Sequence, residues 1–382
     1  MTDFLTTKWV PPHVAALSGY HAAETVTNGP DVLKMDLNEC QAPPSPRVVA
    51  ALRAAVEADA ALNWYPDSTC APLRQSIGRY LHISADSVLV ANGSNMAMEL
   101  IARAFLTRDD PVLIVSPVYA VFSVQCKLQQ ARIETFQFHK PFAPDFAELL
   151  TRVALPVPSR GRDQPPARPS DACKIIYLAN PNNPTGVGYP REQIRALVEK
   201  RPDTLIVLDE AYVEYCGGSS VDLVATHPNL LVLRSFSKAF SLAGMRCGYV
   251  VAQPAVLDVL ARVLAPWAVS GLTQAAAQAA VEDLDYMRET VAECARARRQ
   301  IVDGLTDLGF VVHDTQANFI IWQVSAPAHV VQVLAARHVY VSNKDSVPQL
   351  KGCLRLTVGN RDQAKRFLGI VEKLQARRLL EP

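Results

Sequence analysis

Seven short apolar runs, separated by segments of helical periodicity, dominate the chain between about residues 45 and 266. Most of them are continuous and do not alternate with polar residues, as expected for strands that helices cover on both faces. This alternation predicts an α/β fold, a three-layer sandwich around a mainly parallel sheet. The predicted strands are 87–90, 112–115, 132–138, 174–178, 204–208, 230–233 and 248–251, with helices between them that include 47–58, 95–106 and 191–200.

The last third of the chain follows another pattern. Residues 271–308 are rich in Ala, Glu, Arg and Gln and contain no proline, which predicts one or two long helices. A strand, a helix, a strand and a helix follow at 318–322, 328–337, 353–358 and 362–377, which predicts a smaller α+β C-terminal domain. We therefore expect an N-terminal arm (1–45), a large domain (46–267) and a small domain (268–382), with a mobile Pro/Arg-rich surface loop at 155–170.

Composition excludes several classes of function. The 382 residues carry a formal net charge of +1, which leaves no electrostatic footprint for nucleic acid or an acidic membrane surface. The eight cysteines form no C-x-x-C pair, so we expect no metal site and no disulfide scaffold. We find no secretory signal and no apolar stretch long enough to span a membrane. We expect a cytoplasmic globular enzyme that acts on small molecules.

The segment around Lys238 is the most informative for chemistry. Lys238 follows an apolar run, so its amine should lie beyond the carboxyl end of a strand, where α/β sheets place ligands. With Arg246 eight positions later, it suits a phosphorylated carbonyl cofactor: Lys238 would form a Schiff base, while Ser235, Ser237 and Arg246 hold phosphate oxygens. An isolated Ser-x-Lys is more often a solvated loop, so other segments must decide.

Polar residues end two further predicted strands. Asn183 lies in the turn Asn-Pro-Thr-Gly, and Asp209 and Tyr212 lie in Asp-Glu-Ala-Tyr. Taken singly, Asn183 is explained by turn chemistry and Asp209 by a helix N-cap. Together with Lys238 they appear in order at the ends of successive strands, which favours one shared site over separate structural explanations.

These motifs resemble those of fold-type I pyridoxal-phosphate enzymes, and most closely those of histidinol-phosphate aminotransferases. The resemblance covers almost the whole chain, and the Lys238 segment and the Asn-Pro-Thr-Gly turn are its most specific parts. It is carried by Leu37-Asn38-Glu39, Tyr65-Pro66-Asp67, Asn92-Gly93-Ser94, Pro117-Val118-Tyr119, Asn183-Pro184-Thr185-Gly186, Asp209-Glu210-Ala211-Tyr212, the Lys238 segment, Ala317-Asn318-Phe319 and the segment 352–359.

The resemblance implies pyridoxal 5'-phosphate as the cofactor and a role for each site residue. Asp209 would keep the pyridine nitrogen protonated so that the ring can accept electrons from the substrate, and Lys238 would also move the proton at the substrate's α-carbon. Asn183 and Tyr212 would bind the phenolic oxygen of the ring. Tyr119 would stack on the ring, and Ser94 and Asn95 at a helix N-terminus would bind the phosphate. Tyr65 would reach the phosphate of a neighbouring subunit, so the resemblance implies a homodimer.

Substrate contacts are also implied by the resemblance. Arg355 matches an arginine that grips an anionic substrate group, Tyr20 matches a substrate-contacting tyrosine, and Trp267 stands where the family often has a tyrosine. Without the resemblance, Arg355 could be an ordinary strand residue and Trp267 a core residue. The substrates would be an amino donor and a 2-oxo acid acceptor.

The family pattern is broken at two points, and one of them is the turn Gly93-Ser94-Asn95-Met96, which lacks the acidic pair usual after Gly-Ser in this family. Histidinol-phosphate aminotransferases carry a second arginine thirteen residues before the one that matches Arg355, and Ser342 stands there in this chain. The loss should weaken phosphate binding by about 1.5–3 kcal/mol per missing charged hydrogen bond. Lys344, two residues along, could supply the missing charge, but we expect it to point elsewhere. The sequence thus favours an amino-acid substrate, bound through its carboxylate, over histidinol phosphate. Two alternatives to an aminotransferase remain: a decarboxylase, racemase or oxidase with the same cofactor, and a non-catalytic binding module.

Overall fold

The computed structural model describes residues 9–17, 29, 31–57, 62–154 and 173–381. Tyr20 and the Pro/Arg-rich segment 155–170 therefore lie outside the described residues. The described chain forms two β-sheets, one of seven strands and one of five. Its helices include none with the length and apolar character needed to cross a bilayer.

The seven-stranded sheet is built from the seven apolar runs, with end points within two residues of the predicted ones. One strand runs antiparallel to its two neighbours, and all other neighbouring strands pair in parallel, so the predicted α/β fold with a mainly parallel sheet is confirmed. The spatial order is Val88–Ala91, Gly248–Val251 (the antiparallel strand), Leu230–Ser235, Leu205–Asp209, Ile175–Ala179, Pro111–Ser116 and Arg132–Gln137.

Helices cover both faces of this sheet, which explains why its strands are apolar throughout. In the strand Leu230–Ser235, Leu230 and Val232 enter one buried cluster, while Leu231 and Leu233 enter another on the opposite face. The first cluster is closed by Pro46–Glu57, Ala71–Leu81, Phe146–Ala154, Arg191–Lys200 and Gly271–Val281. The second is closed by Gly93–Phe105, Val121–Leu128 and Pro254–Ala261.

The five-stranded sheet lies mostly in the last third of the chain. Its order is Leu33–Met35, Val339–Asn343, Cys353–Thr357, Phe319–Gln323 and Val312–His313, and its helices are Leu284–Asp307, Pro327–Ala335 and Arg361–Ala376. One strand comes from the N-terminal arm, because Leu33–Met35 pairs in parallel with Val339–Asn343. The helix Gly271–Val281 packs instead with the large sheet, and the domain boundaries drawn from the sequence stay a prediction.

Candidate active site

Three neighbouring parallel strands bring the candidate residues to one edge of the large sheet. Ala179 pairs with Asp209, and Asp209 pairs with Leu233, so the strands Ile175–Ala179, Leu205–Asp209 and Leu230–Ser235 end side by side. The Asn183 turn, the Asp209 carboxylate and the Lys238 segment continue from these ends. Ligands of open α/β sheets bind at the carboxyl ends of the strands, so this edge is the candidate active site.

Asp209 provides a buried carboxylate at this edge. The Tyr177 hydroxyl donates to its Oδ2 at 2.9 Å, and the backbone amide of Ala211 donates to its Oδ1 at 3.1 Å. Burial raises the pKa of Asp209 to about 6, although both hydrogen bonds act in the opposite direction. Such a carboxylate is suited to sharing a proton with a ring nitrogen. Tyr177 was not assigned to the site from the sequence. A tyrosine within an otherwise aliphatic strand does, however, indicate a buried hydroxyl that needs a hydrogen-bond partner.

Lys238 presents its amine close to the same point. Its Nζ donates to the Leu37 carbonyl at 3.1 Å and lies 5.6 Å from the centroid of the Tyr212 ring. Burial, followed by repulsion from the Arg355 guanidinium, lowers the pKa of Lys238 to about 7. Near neutral pH the amine is therefore available both as a nucleophile and as a base.

The Tyr212 hydroxyl is held by two amides. Its oxygen accepts from Asn183 Nδ2 at 3.3 Å and from Asn38 Nδ2 at 3.0 Å, and burial raises the pKa of Tyr212. Asn38 is itself buried and has a φ of 53°, a left-handed conformation that asparagine tolerates better than most residues. Asn38 belongs to the Leu-Asn-Glu motif but was not assigned to the site from the sequence.

Arg355 reaches the site from the small sheet. Its Nη1 donates to Asn183 Oδ1 at 2.6 Å, and its Nη2 donates to the Asp36 carbonyl at 2.7 Å. The guanidinium lies 5.5 Å from the centroid of the Phe319 ring. Arg355 thus joins the N-terminal arm, the small sheet and the Asn183 turn of the large sheet at one point.

An anion cradle lies at the start of the helix Gly93–Phe105. Gly93 has a φ of 80°, and a Cβ there would lie 2.7 Å from Arg246 Nη2, so only glycine lets the guanidinium approach. Arg246 Nη1 lies 3.4 Å from Ser237 Oγ, and Ser235 Oγ accepts from the Ser237 amide at 3.1 Å. Ser94 and Asn95 form the first turn of the helix, where amides and the helix dipole favour an anion.

Gly248 sets the position of this cradle. A Cβ at Gly248 would lie 2.5 Å from the Ser94 backbone nitrogen, whereas a Cβ at Gly244 would meet nothing within 4 Å. We expect Gly248→Ala to push the helix start away from Arg246, lower stability by about 1–3 kcal/mol and weaken pyridoxal-phosphate binding. Gly244→Ala is the matched control. Equal cofactor affinity of the two variants in fluorescence titration would contradict this placement.

The remaining predicted residues lie around the edge or at the surface. Tyr119 is partly buried and is close enough to Tyr177 to affect its pKa, which burial raises. Tyr65 and Trp267 are exposed and stack on each other, with ring centroids 4.4 Å apart. In the described structure, therefore, the large sheet and Arg355 assemble the central group, while Tyr65 and Trp267 form a separate surface pair.

A nucleophilic amine, a buried carboxylate and an anion cradle suit a phosphorylated aromatic aldehyde, and this combination defines a pyridoxal-phosphate-dependent enzyme. Residues 30–371 match the sequence profile of the family described as aminotransferase class I and II. The chain belongs to this family. It is an aminotransferase that uses pyridoxal 5'-phosphate to transfer an amino group between an amino acid or related amine and a 2-oxo acid.

Individual relatives agree with this assignment. The chain is 34% identical over 368 residues to histidinol-phosphate aminotransferase 1 of Bradyrhizobium diazoefficiens, covering 95% of this chain and 98% of the relative. It is also 34% identical over 352 residues to a dihydroxyacetone phosphate transaminase of Campylobacter jejuni, covering 90% of each. The predicted cofactor and aminotransferase activity are confirmed, and the alternative of a decarboxylase, racemase or oxidase is not favoured.

The fold has a clear match among solved structures. The histidinol-phosphate aminotransferase of Sinorhizobium meliloti, determined in complex with pyridoxal-5'-phosphate, superimposes with a TM-score of 0.82 at 24% identity. The match covers 96% of this chain and 98% of the other. At this identity the likeness shows the fold.

Proposed function

We propose that Lys238, Asp209 and Tyr212 are the catalytic residues of this aminotransferase. The cofactor, when bound, supplies an electron sink for the pair released at the substrate's α-carbon. Lys238 would hold the cofactor and would take and return a proton at its Nζ, for which a pKa of about 7 is well suited. Asp209 would bind the ring nitrogen, and Tyr212 and Asn183 would bind the phenolic oxygen. The convergence of these side chains at one sheet edge carries the proposal.

The cofactor phosphate is assigned to the cradle at the helix start. Ser94 and Asn95 offer the first-turn amides, Ser235 and Ser237 offer hydroxyls, and Arg246 offers the charge. Tyr119, at the rim of the same edge, is assigned to the face of the ring. These residues bind and orient the cofactor, and take no part in proton transfer.

The donor is an amino acid or related amine whose acidic group Arg355 binds. The guanidinium is positioned by Asn183 and by the Asp36 carbonyl, so its plane is oriented before substrate arrives. Trp267 and Tyr20 are proposed as further substrate contacts; Trp267 is exposed, and Tyr20 lies outside the described residues.

We also propose a homodimer in the cytoplasm. Large side chains are exposed on the described surface, among them Trp64, Tyr65 and Trp267, and a partner subunit would cover them and place Tyr65 beside the neighbouring phosphate cradle. All eight cysteines are free thiols, as is usual in a reducing compartment. A monomer in sedimentation equilibrium would contradict the dimer, and recovery from the cell envelope on fractionation would contradict the compartment.

A screen of amino donors against a 2-oxo-acid acceptor tests the function. Purified holoenzyme is incubated with each donor, and both the new oxo acid and carbon dioxide are measured. We expect one oxo acid per amino group transferred, without carbon dioxide. Release of carbon dioxide in proportion to the donor consumed would contradict aminotransfer as the main reaction.

A further inference from the structure

Lys344 lies on the face of the small sheet that carries Arg355. The strands Val339–Asn343 and Cys353–Thr357 are antiparallel, with Ser342 directly opposite Arg355. The register continues past the strand end, because the Lys344 amide donates to the Cys353 carbonyl at 2.9 Å. Residues two apart on a strand share a face, so Ser342 and Lys344 both lie on the face of Arg355.

This face is the one turned towards the active site. Cys353 belongs to the buried cluster that contains Tyr212 and Phe319, whereas Leu354 and Leu356 enter the cluster on the other side of the sheet. Lys344 and Arg355 are diagonal neighbours across the two strands, at a Cβ separation of roughly 7–8 Å that long side chains can bridge. The sequence-based expectation that Lys344 points elsewhere therefore differs from the structure.

Lys344 is partly buried and could accept an anionic ligand. Burial, followed by repulsion from Arg355, lowers the pKa of Lys344 to about 7. Within the described part of the chain its ammonium makes no salt bridge, whereas Lys34 is paired with Asp36 and Glu39. Two cations that repel each other on one face are stabilised when a ligand brings negative charge between them.

We propose that Lys344 is a specificity-determining residue that binds the acidic end of the substrate together with Arg355. It supplies from position 344 the second charge that Ser342 does not provide. The shared chemistry is an anionic group, either a phosphate monoester or a second carboxylate. This inference rests on the proposed role of Arg355, and it removes the reason for preferring a carboxylate, because that preference depended on a missing cation.

Matched pairs of donors test the proposal in the holoenzyme. L-histidinol phosphate is compared with L-histidinol, and L-glutamate with L-norvaline, so that each pair differs in one acidic group. For at least one pair, we expect Lys344→Met to lower the ratio of kcat/KM for the acidic donor to that for the neutral one by about 10- to 100-fold, as for one lost charged hydrogen bond. Kinetics with the neutral donors should change less than kinetics with the acidic donors. The donor pair whose kcat/KM ratio falls shows whether Lys344 binds a phosphate or a carboxylate.

Two further variants complete the design. Lys344→Arg should keep the ratio within about threefold of the wild type, because the charge remains, and Lys351→Met, which removes an exposed lysine from the neighbouring turn, should leave it unchanged. An unchanged ratio for both donor pairs in Lys344→Met would overturn the proposal. So would an equal loss with acidic and neutral donors.

A binding measurement separates failure of this inference from failure of the proposed function. Inorganic phosphate is titrated calorimetrically into cofactor-loaded wild type and Lys344→Met. Weaker phosphate binding to the variant would support the role of Lys344 whether or not the wild type transfers amino groups. If the wild type transferred no amino group from any donor, that result would contradict the proposed function but not the role of Lys344. Equal binding to the two proteins would contradict the role of Lys344, and so would an absence of phosphate binding together with an unchanged ratio for L-glutamate and L-norvaline.

Discussion

Lys238→Ala should abolish aminotransfer and leave the fold intact. Positioned proton transfer contributes about 10²–10⁴-fold to rate, and the variant also loses the covalent bond to the cofactor, so we expect turnover to fall by at least about 10⁴-fold. The structure predicts no loss of stability, because burial already disfavours the charged amine. Steady-state assays and thermal unfolding of the purified variant measure both effects.

Lys238→Arg is the informative companion variant. An arginine keeps the positive charge but stays protonated at all accessible pH values, so it can neither attack the cofactor aldehyde nor accept a proton. We therefore expect it to be as inactive as the alanine variant. Both should still bind the cofactor non-covalently through the Arg246 cradle, and turnover retained in either would contradict the assignment of Lys238.

The second large effect concerns stability. Arg234 lies behind the active-site edge, with Nε 3.0 Å from Glu210 Oε2 and Nη1 2.7 Å from Glu214 Oε1, and all three side chains are buried. Arg234→Ala leaves two buried carboxylates without their cation, so we expect a loss of about 3–5 kcal/mol in the free energy of unfolding. Because Glu210 follows Asp209 and Arg234 precedes Ser235, cofactor affinity should fall too.

The pH dependence of this loss distinguishes its cause. Burial raises the pKa of Glu210 and Glu214 even beside Arg234, and without the arginine both values should rise further above those of the unfolded chain. The folded variant then binds more protons than the unfolded one, so its stability should recover as pH falls from 7 towards about 5. A variant with Arg234→Met, Glu210→Gln and Glu214→Gln together is the control, and we expect it to be closer to the wild type. A deficit of equal size in both variants at every pH would contradict this explanation.

The sequence predicts the large sheet well because its signal is local. Each strand is a short apolar run. Because helices cover both faces of the sheet, its strands have no polar face, and the apolar runs are continuous. Asp209 and Lys238 follow from the same logic, since the carboxyl ends of neighbouring parallel strands must meet at one edge.

What the sequence does not show depends on pairing between distant segments. The strand Leu33–Met35 has three residues and forms only because Val339–Asn343 offers it an edge about 300 residues later. The position of Lys344 depends on the register between two strands, and a slip of one residue would turn it to the opposite face. Asn38 reaches Tyr212 through a left-handed turn that no periodicity reveals.

The most direct test of the account is to identify the amine that carries the cofactor. Cofactor-loaded enzyme is reduced with borohydride, digested and analysed by peptide mass spectrometry, with Lys344 and Lys34 as internal comparisons. The account predicts a reduced pyridoxyl-phosphate group on Lys238 and on neither of the other two lysines. An unmodified Lys238 in fully loaded, reduced protein would contradict it.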